Sequence, residues 1–399
     1  MSRTARLLIR PKPEADESFL GYILRLTEKN RYETPLWILK MAGFSFKGLR
    51  ESTSLVFRSH ENLHGLAQLT GVNVDKLAQL LYPLVTKFDS TFLHDFFGHI
   101  LPQYLIRPTH PKICPDCLLE LPYCRRAWEL LPVTVCPTHR RLLIDECPGC
   151  RKQMAWSRRH VTICSCEFDW RKSLHSSVEE PELRLTRHIY RLCGLPVSSC
   201  NSQELLDPIS QLSLNDLLRT VFFIAGQRRG LSAATSRHLV AEGKSKNFHS
   251  ILTEAYSVFD NWPVNYFRFL DRRRIQERKI TRTYQRMKSA LYGEFGSFYS
   301  GLHSVLLGRQ FNFMREAFIG YMAEHNMGGY RARAEPQSQM IDPQNNRYIL
   351  KSDVRRLLGV DYTWIDRQVN MGKLKSLVRS KGKRRLIFIE LNSLTKLRQ

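Results

Sequence analysis

The chain has 399 residues, of which 43% are hydrophobic and 25% charged, a composition that excludes a disordered tail and a low-complexity fibre. At roughly 150 residues per domain, this length predicts two or three domains. Lysine and arginine number 61 against 37 aspartate and glutamate residues, which gives a formal net charge of +24. So large a positive excess favours a polyanion, and nucleic acid in particular, as a partner.

Membrane insertion and secretion are not expected. No stretch approaches the roughly 18 uninterrupted apolar residues of a membrane span. Near the start, the apolar run Leu7-Leu8-Ile9 is too short for a signal-peptide core. The sequence therefore predicts a soluble, cytoplasmic protein without a membrane partner. In that reducing compartment, the ten cysteines favour metal binding over disulfide bonds.

Changes in composition along the chain predict a mainly α protein with five segments. An N-terminal helical domain covers residues 1–110, and a cysteine-rich module of the tandem zinc-ribbon or zinc-finger kind covers residues 111–170. Residues 171–330 are predicted to form a helical domain and residues 331–346 a polar linker. A small basic unit fills residues 347–399.

The N-terminal domain contains a helix-turn-helix pattern between Asn62 and Leu81. Apolar residues recur at helical spacing on both sides of Gly71, which can supply a backbone with positive φ. A small residue, Ala67, lies where the two helices would cross. An ordinary helical hairpin that binds no nucleic acid fits the same pattern equally well.

Four closely spaced pairs of potential metal ligands lie in the cysteine-rich module. A two-residue gap, present in three of the pairs, lets two side chains on one tight turn reach a single ion. Eight ligands fill two tetrahedral sites, Cys₃His and Cys₄, and leave no open position for water or substrate. The sequence therefore predicts two structural Zn²⁺ ions per chain. The predicted ligands are Cys114, Cys117, Cys136, His139, Cys147, Cys150, Cys164 and Cys166.

The spacing leaves the pairing of these ligands open. Sequential pairing, first with second and third with fourth, is the simpler topology, but interleaved pairing is also compatible with the spacing. Cys124 is a rival candidate ligand, whereas Cys193 and Cys200 are expected to be reduced and inert.

A second metal-binding pattern, His60-Glu61-Asn62-Leu63-His64, matches the H-E-x-x-H motif of zinc proteases. Such a site needs a third ligand, and no glutamate occurs between Glu61 and Glu120. The same stretch opens the helix pair described above. These observations favour a chance match over a metalloprotease.

Signatures of common enzymes are absent from the sequence. It has no G-x-x-x-x-G-K-[ST] phosphate-binding loop and no G-x-S-x-G nucleophile elbow. The acidic residues are sparse and scattered among basic ones, unlike the clustered carboxylates of a metal-dependent nuclease or transposase. The sequence therefore predicts a protein that is not an enzyme.

Basic residues also follow a helical spacing. Arg274, Arg278 and Arg282 recur every four residues and would share one helix face. This stripe could contact a phosphate backbone, an acidic protein or only solvent.

The C-terminal unit gives a sharper pattern. A helix capped by Ser352 or Asp353 is predicted to end before Gly359, a second helix to cover Tyr362 to Asn370, and a basic β-hairpin to turn at 380–383. This order resembles a winged helix of the MerR or excisionase type, in which the second helix enters the major groove and the wing touches phosphates. Docking of protein to the unit is the alternative. The candidate nucleic-acid or partner contacts are Arg274, Arg278, Arg282, Arg367, Lys373, Lys375, Lys383, Arg384 and Arg385.

Several short motifs recur in one order along the chain. They are Pro11-Lys12-Pro13, Glu17-Ser18-Phe19-Leu20-Gly21-Tyr22, Cys114-x₂-Cys117, Trp128, Cys136-Pro137-x-His139, Leu142 or Leu143, Cys147-Pro148-x-Cys150, and Asn261-Trp262-Pro263-Val264-Asn265-Tyr266-Phe267. Together these motifs resemble the TniQ/TnsD family of transposon target-selection proteins over roughly residues 7–330. The one-residue gap in Cys164-Ser165-Cys166 departs from the family's zinc block.

The resemblance implies a non-catalytic protein that marks an insertion site on DNA and recruits a TnsC-type AAA+ ATPase, which in turn brings the transposase. The length favours members that accompany the RNA-guided Cascade complex of type I-F CRISPR-associated transposons. Such members bind Cascade as a head-to-tail homodimer in the bacterial cytoplasm, associated with the nucleoid when active. The alternative within the family is a TnsD-like protein that reads an attachment-site sequence directly. Outside the family, the alternatives are a zinc-containing transcription regulator and, more remotely, a metalloprotease.

Overall fold

In the computed structural model the chain divides into two units. The structure describes residues 6–45, 55–57, 63–109, 111–174, 176–197, 208–228, 247–280, 290–306, 308–325, 348–381 and 384–397. The first unit consists of Met1–Asn201, Ser213–Leu218 and Val240–Thr253, and the second of Ser202–Leu212, Arg219–Leu239 and Glu254–Gln399. The secondary structure is mainly helical, as predicted. Among the described helices, none has the length and apolar character that crossing a membrane requires.

The first unit combines short helices with two small sheets. Helix α1 begins after Ser18, whose side chain accepts a hydrogen bond from the Gly21 N–H at 3.2 Å. The elements are α1 (Phe19–Lys29), α2 (Pro35–Met41), α3 (Leu63–Thr70), α4 (Val74–Ala78), β1 (Leu84–Phe88), β2 (Thr91–Phe96), β3 (His99–Pro102), α5 (Pro115–Glu120), β4 (Val135–Cys136), β5 (Arg141–Leu142) and α6 (Glu180–Leu192). Helices α7 (Leu214–Arg228) and α8 (Phe248–Tyr256) contribute residues to both units.

Helices α3 and α4 lie where the helix-turn-helix pattern was predicted. Gly71 between them has φ +70°, and Asn73 caps α4 by accepting the Asp75 N–H at 2.7 Å. Leu66 and Leu77 are fully buried, one from each helix. The predicted DNA-binding role of this pair stays a prediction.

The prediction of an all-helical segment over residues 1–110 is wrong for residues 84–102. These residues form an antiparallel sheet in the order β1-β2-β3. Phe97 and Gly98 join β2 to β3 with φ angles of +52° and +80°, which is typical of the tight hairpin turns that match the twist of antiparallel strands. In this segment the side chains therefore alternate between the two faces of a sheet and do not recur at helical spacing.

The predicted boundary near residue 110 does not separate the two units. Backbone hydrogen bonds join the chain before α1 to the cysteine-rich module, from Ser18 N to Cys124 O at 2.9 Å and from Arg126 N to Asp16 O at 2.7 Å. Residues of both predicted segments thus share one folded unit. The predicted linker 331–346 lies outside the described residues.

The second unit is built around an aromatic core. Rings from α9, α11 and α12 pack edge to face or tilted against one another, as for Phe298 and Phe318 at 5.9 Å between ring centroids. Its elements are α9 (Val264–Ile280), α10 (Ala290–Phe295), α11 (Ser297–Ser304), α12 (Asn312–Glu324), β6 (Tyr348–Leu350), α13 (Lys351–Leu358), α14 (Tyr362–Asn370), β7 (Ser376–Lys381), β8 (Arg384–Glu390) and α15 (Leu391–Lys396).

The last elements form a sheet in the order β6-β8-β7 with α13, α14 and α15. Gly359 ends α13 in a left-handed conformation, as predicted, and α14 has its predicted bounds. The predicted cap of α13 by Ser352 or Asp353 is wrong. The helix begins one residue before Ser352, and the buried Asp353 instead accepts a hydrogen bond from the Tyr299 hydroxyl at 2.7 Å. This bond and the packing of α12 against α13 and α15 join the C-terminal elements to the helices before them.

Candidate metal centres

The first cluster of metal-binding side chains lies between α5 and the β4–β5 turn. Cys114 immediately precedes α5, and Pro115 is well suited to the first helical position because its missing N–H is not needed there. Cys117 follows within the first turn of the helix. Cys136 is the last residue of β4, and His139 lies in the turn to β5. Two local turns thus bring four side chains to one point.

The distances in this cluster fit one tetrahedral ion. Cys117 Sγ lies 3.5 Å from Cys136 Sγ and 3.2 Å from His139 Nδ1, and Cys114 Sγ lies 3.6 Å from the same ring nitrogen. All four ligand atoms lie within 4.8 Å of one another. Zinc–sulfur bonds of about 2.3 Å at tetrahedral angles place two sulfurs about 3.8 Å apart. The spacing is far too long for disulfides, and the cysteines are free.

Glu120 orients the histidine of this cluster. Its Oε1 lies 2.9 Å from His139 Nε2, while Nδ1 faces the three sulfurs. A carboxylate that accepts from one ring nitrogen fixes the proton there and leaves the other nitrogen free to bind a metal. Glu120 was not predicted from the sequence, although a carboxylate three residues after Cys117 on a short helix is a signal for such a partner.

The second cluster is formed by two turns without regular secondary structure. The Cys147 N–H donates to Lys152 O at 2.9 Å and the Arg151 N–H to Cys147 O at 2.8 Å, so the turn closes around Cys147 and Cys150. The Cys164 N–H donates to Phe168 O at 2.9 Å and closes the other turn. A side chain at Gly149 would approach Phe168 to 2.9 Å, so the two turns pack too closely for a larger residue.

This second cluster also fits a tetrahedral ion but is more exposed. Cys147 Sγ lies 3.7 Å from Cys166 Sγ, and Cys150 Sγ lies 3.9 Å from Cys164 Sγ. Cys147 is buried, whereas Cys166 is exposed. The one-residue gap between Cys164 and Cys166, which departs from the family pattern, is therefore compatible with four sulfurs around one point.

The surroundings favour thiolates at one position of each cluster. Hydrogen bonds from the Cys114 and Cys117 thiols lower the pKa of Cys136. Burial alone would raise the pKa of Cys147, but hydrogen bonds from the backbone N–H of Cys150 and from neighbouring groups lower it to about 6. Thiolates are the form in which cysteine binds a metal.

The structure thus brings together all eight predicted ligands, in two groups of four that follow the sequential pairing. Each group could hold a metal ion, and the sulfur-rich donor sets are those that zinc prefers.

Cys124 belongs to neither group. It packs against α1, where a side chain at Gly21 would approach Cys124 Cβ to 2.8 Å. Cys193 is buried, and Cys200 lies outside the described residues.

The candidate nucleic-acid contacts on α9 are only partly described. Arg274 Nε lies 2.7 Å from Glu294 Oε2, so its guanidinium group is engaged within the second unit. Arg282 lies outside the described residues, as do the side chain of Arg278 and the histidine and glutamate that open the H-E-x-x-H pattern. The predicted stripe of three arginines therefore stays a prediction.

The candidate contacts in the C-terminal unit are better placed. Arg367, Lys373, Lys375 and Arg385 are exposed, and none of the four has a carboxylate partner among the described residues. Arg367 lies on α14, Lys373 and Lys375 lie between α14 and β7, and Arg385 lies on β8. Lys383 and the side chain of Arg384 lie outside the described part of the chain.

Glu17, just before α1, and Arg25, within α1, form a buried ion pair that was not predicted from the sequence. Arg25 Nε and one terminal nitrogen lie 2.8 and 2.6 Å from the two carboxylate oxygens of Glu17, which is fully buried. The same guanidinium donates to Lys12 O at 2.8 Å. Glu17 stands in a stretch that carries the family resemblance, but its partner eight residues later has no sequence signal.

A comparison with protein families and curated proteins identifies the N-terminal part of the chain. Residues 8–143 match the sequence model of the TniQ family. The matched segment contains the buried Glu17–Arg25 pair, α1 to α5 and all four ligands of the first cluster, and it ends before the second cluster. No curated protein matches the chain. The comparison therefore shows a TniQ-type segment over residues 8–143, about a third of the chain.

Proposed function

We propose that this chain is a non-catalytic adaptor that selects the target site of a transposon. The observation that carries the proposal is the TniQ match over residues 8–143, because this family points to transposition target selection. The net charge of +24 suits a protein that works on DNA. An adaptor needs binding surfaces held in fixed positions rather than reactive groups.

In this proposal both clusters hold Zn²⁺, and the two ions stabilise the fold. Four protein ligands at each site leave no position for water or substrate, which is the arrangement of structural zinc. The first site ties α5 to the β4–β5 turn, and the second ties together two turns that have little core of their own. Helices α3 and α4 then act as a helix-turn-helix.

The chain's partners in this proposal are an RNA-guided Cascade complex of a CRISPR-associated transposon and a TnsC-type AAA+ ATPase. Binding through positive charge alone tolerates any DNA sequence and is a poor way to choose one site in a genome. Pairing of a guide RNA with the target supplies the missing specificity. The chain bridges the two complexes, as a homodimer, at the bacterial nucleoid.

A footprint on the transposon's own insertion region tests the bridge. The purified protein alone should protect DNA weakly and uniformly, and protection should become site-specific only when the guide complex is added. Strong protection of one defined sequence without guide RNA would overturn the bridge and establish a direct reader of an attachment site. Failure of the TnsC-type ATPase to bind the adaptor on target DNA would contradict target selection itself.

One observation favours the second candidate, a TnsD-like protein that reads DNA directly. Helix α14 fully buries only Ile365 among its nine residues, and five of the others are exposed, so much of its surface is available to a partner. A helix with an exposed face that is followed in the chain by a basic hairpin has the order of elements found in winged helices, in which this helix enters the major groove.

The charges of the C-terminal unit also support contact between this unit and DNA. Its described carboxylates are engaged within the unit or beside it. Asp361 caps α14 through the Trp364 N–H at 2.6 Å, Asp366 pairs with Lys351, and Asp353 and Glu390 are buried. The exposed cations around α14 and β8 therefore dominate the surface of this unit, which suits a phosphate backbone better than a protein.

Changing Arg367, Lys375 and Arg385 together to alanine should weaken sequence-tolerant DNA binding. If all three contact phosphates, the slope of log K against log salt should fall by about 2.7, since each contact contributes about 0.9. Titration of DNA with the protein at several salt concentrations measures this slope. Point variants are preferable to removal of residues 347–399, because α12 packs against α13 and α15 and would be exposed by truncation.

The matched control changes three exposed lysines of the first unit, Lys29, Lys40 and Lys172, which removes the same charge. The control should keep the steeper slope. Equal slopes in the two variants would assign the effect to net charge alone, and an unchanged slope in the first would favour protein docking by the C-terminal unit.

A further inference from the structure

The two metal clusters differ in how far their sulfurs are exposed to solvent. In the first cluster Cys114, Cys117 and Cys136 are each at most 2% exposed, so the protein closes off all three. In the second cluster Cys147 is fully buried, but Cys166 is exposed. Both clusters bring four ligand atoms within 4.8 Å of one another. Their difference in burial therefore predicts a difference in reactivity toward a dissolved oxidant, which must reach a sulfur to react with it.

Cys166 lies at the tip of the turn that carries it. Residues 165–167 are all exposed. The turn is closed behind them by a backbone hydrogen bond, in which the Cys164 N–H donates to Phe168 O at 2.9 Å. Cysteine reacts with oxidants as the thiolate, the same form in which it binds a metal. The turn therefore presents to solvent a sulfur that its role as a ligand keeps in the reactive form.

A second sulfur lies next to the exposed one. The Cys147 and Cys166 sulfurs are 3.7 Å apart, so they must approach by about 1.7 Å to reach the disulfide bond length of about 2.05 Å. An oxidised cysteine with another thiolate this close is converted readily from a sulfenic acid into a disulfide. The exposed sulfur thus has a buried partner that can protect it from further, irreversible oxidation.

We propose that Cys166 is a site of reversible oxidation by peroxides and that Cys147 completes the reaction as its disulfide partner. The Cys166 thiolate attacks one oxygen of hydrogen peroxide, the O–O bond breaks, and hydroxide leaves as Cys166 becomes a sulfenic acid. The Cys147 thiolate then attacks the Cys166 sulfur, forms the S–S bond and expels a second hydroxide. With two protons from solvent, one peroxide oxidises two thiolates to one disulfide and is itself reduced to two water molecules.

The disulfide removes two of the four ligands, so the second cluster can no longer hold its ion. The first cluster should keep its ion under the same conditions, because its sulfurs become accessible only when the protein opens locally. This inference rests on the proposal that the second cluster holds Zn²⁺, but not on a role of the chain in target selection.

The test treats the full, zinc-loaded chain with hydrogen peroxide and follows zinc release with a chromogenic chelator, against a sample without peroxide. One zinc equivalent should leave at least about 10-fold faster than the other. Differential alkylation and mass spectrometry of the same samples should find a disulfide between Cys147 and Cys166, with Cys114, Cys117 and Cys136 still reduced. A thiol reductant with added Zn²⁺ should restore the second equivalent.

A Cys166→His variant removes the exposed sulfur but keeps a fourth ligand, which gives the second cluster the Cys₃His donor set of the first. Its release of zinc under peroxide should be at least about 10-fold slower than that of the parent. The matched control is Cys150→His, which changes another ligand of the same cluster and leaves Cys166 in place. This control should remain as sensitive to peroxide as the parent.

Equal rates of zinc release from the two clusters would overturn the proposal, as would equal sensitivity of Cys166→His and the parent. So would a disulfide between Cys150 and Cys164 with Cys166 still reduced, a result that the parent alone can give if a histidine variant does not fold. A parent that binds only one zinc and still forms the Cys147–Cys166 disulfide would support the oxidation site and contradict the proposed second structural zinc.

Discussion

Replacing Cys117 with serine should release one metal equivalent per chain and unfold the first unit. The Cys117 sulfur lies 3.5 Å from that of Cys136 and 3.2 Å from His139 Nδ1, so its loss removes a quarter of the donor set. A structural zinc contributes on the order of 10–16 kcal/mol to folding in small metal-binding domains. A loss of that size is comparable with the usual stability of about 5–15 kcal/mol of a folded protein, so the variant should not stay folded. Metal analysis and circular dichroism of the purified variant measure both effects.

The matched control is Cys124→Ser, at a buried cysteine that belongs to neither cluster. It should keep about two equivalents of zinc and lose only the modest energy of one buried sulfur. Cys147→Ser, at the buried ligand of the second cluster, should also impair folding, whereas Cys166→Ser should cost less because that ligand is exposed. A parent that binds fewer than about 1.5 equivalents and stays fully folded after chelation would contradict structural zinc.

The metal clusters could be predicted from the sequence because local spacing determines their geometry. A gap of two residues, as in Cys114 and Cys117, nearly fixes the distance between two side chains whatever the rest of the fold does. Helix α14 was equally predictable, because Asp361 and Gly372 mark its ends in the sequence. Each pair of ligands spans at most four consecutive residues, and helix α14 with its two end signals spans twelve.

Features that depend on distant residues could not be predicted. The sheet of residues 84–102 was missed because its inner face is buried by other parts of the first unit, and the exposed apolar residues of β1 obscure the alternation. Asp353 was assigned to a helix cap because its partner, Tyr299, lies 54 residues earlier. Burial of a polar group against a distant hydroxyl leaves no local pattern.

Replacing Arg25 with methionine should cost the first unit about 3–5 kcal/mol, because it leaves a fully buried carboxylate without its charge partner. Burial already raises the pKa of Glu17, even though the guanidinium group opposes this effect, and loss of Arg25 should raise that pKa further. A carboxyl group whose pKa is raised in the folded state favours folding below its unfolded pKa, and this contribution is lost as the pH rises. The destabilisation should therefore be larger at high pH than at low pH.

Urea unfolding followed by fluorescence of the buried Trp128 and Trp170, both in the first unit, measures this loss at several pH values. The Glu17→Gln/Arg25→Met double variant should recover part of the stability and lose the pH dependence, since no buried charge remains. As a control, Arg140→Met breaks a half-exposed pair with Glu180 in the same unit and should cost at most about 1 kcal/mol. Equal costs for Arg25→Met and Arg140→Met would mean that the buried pair contributes no more than a surface contact. The entry to α1 would then depend on the Ser18 cap and the packing of Phe19 and Tyr22 alone.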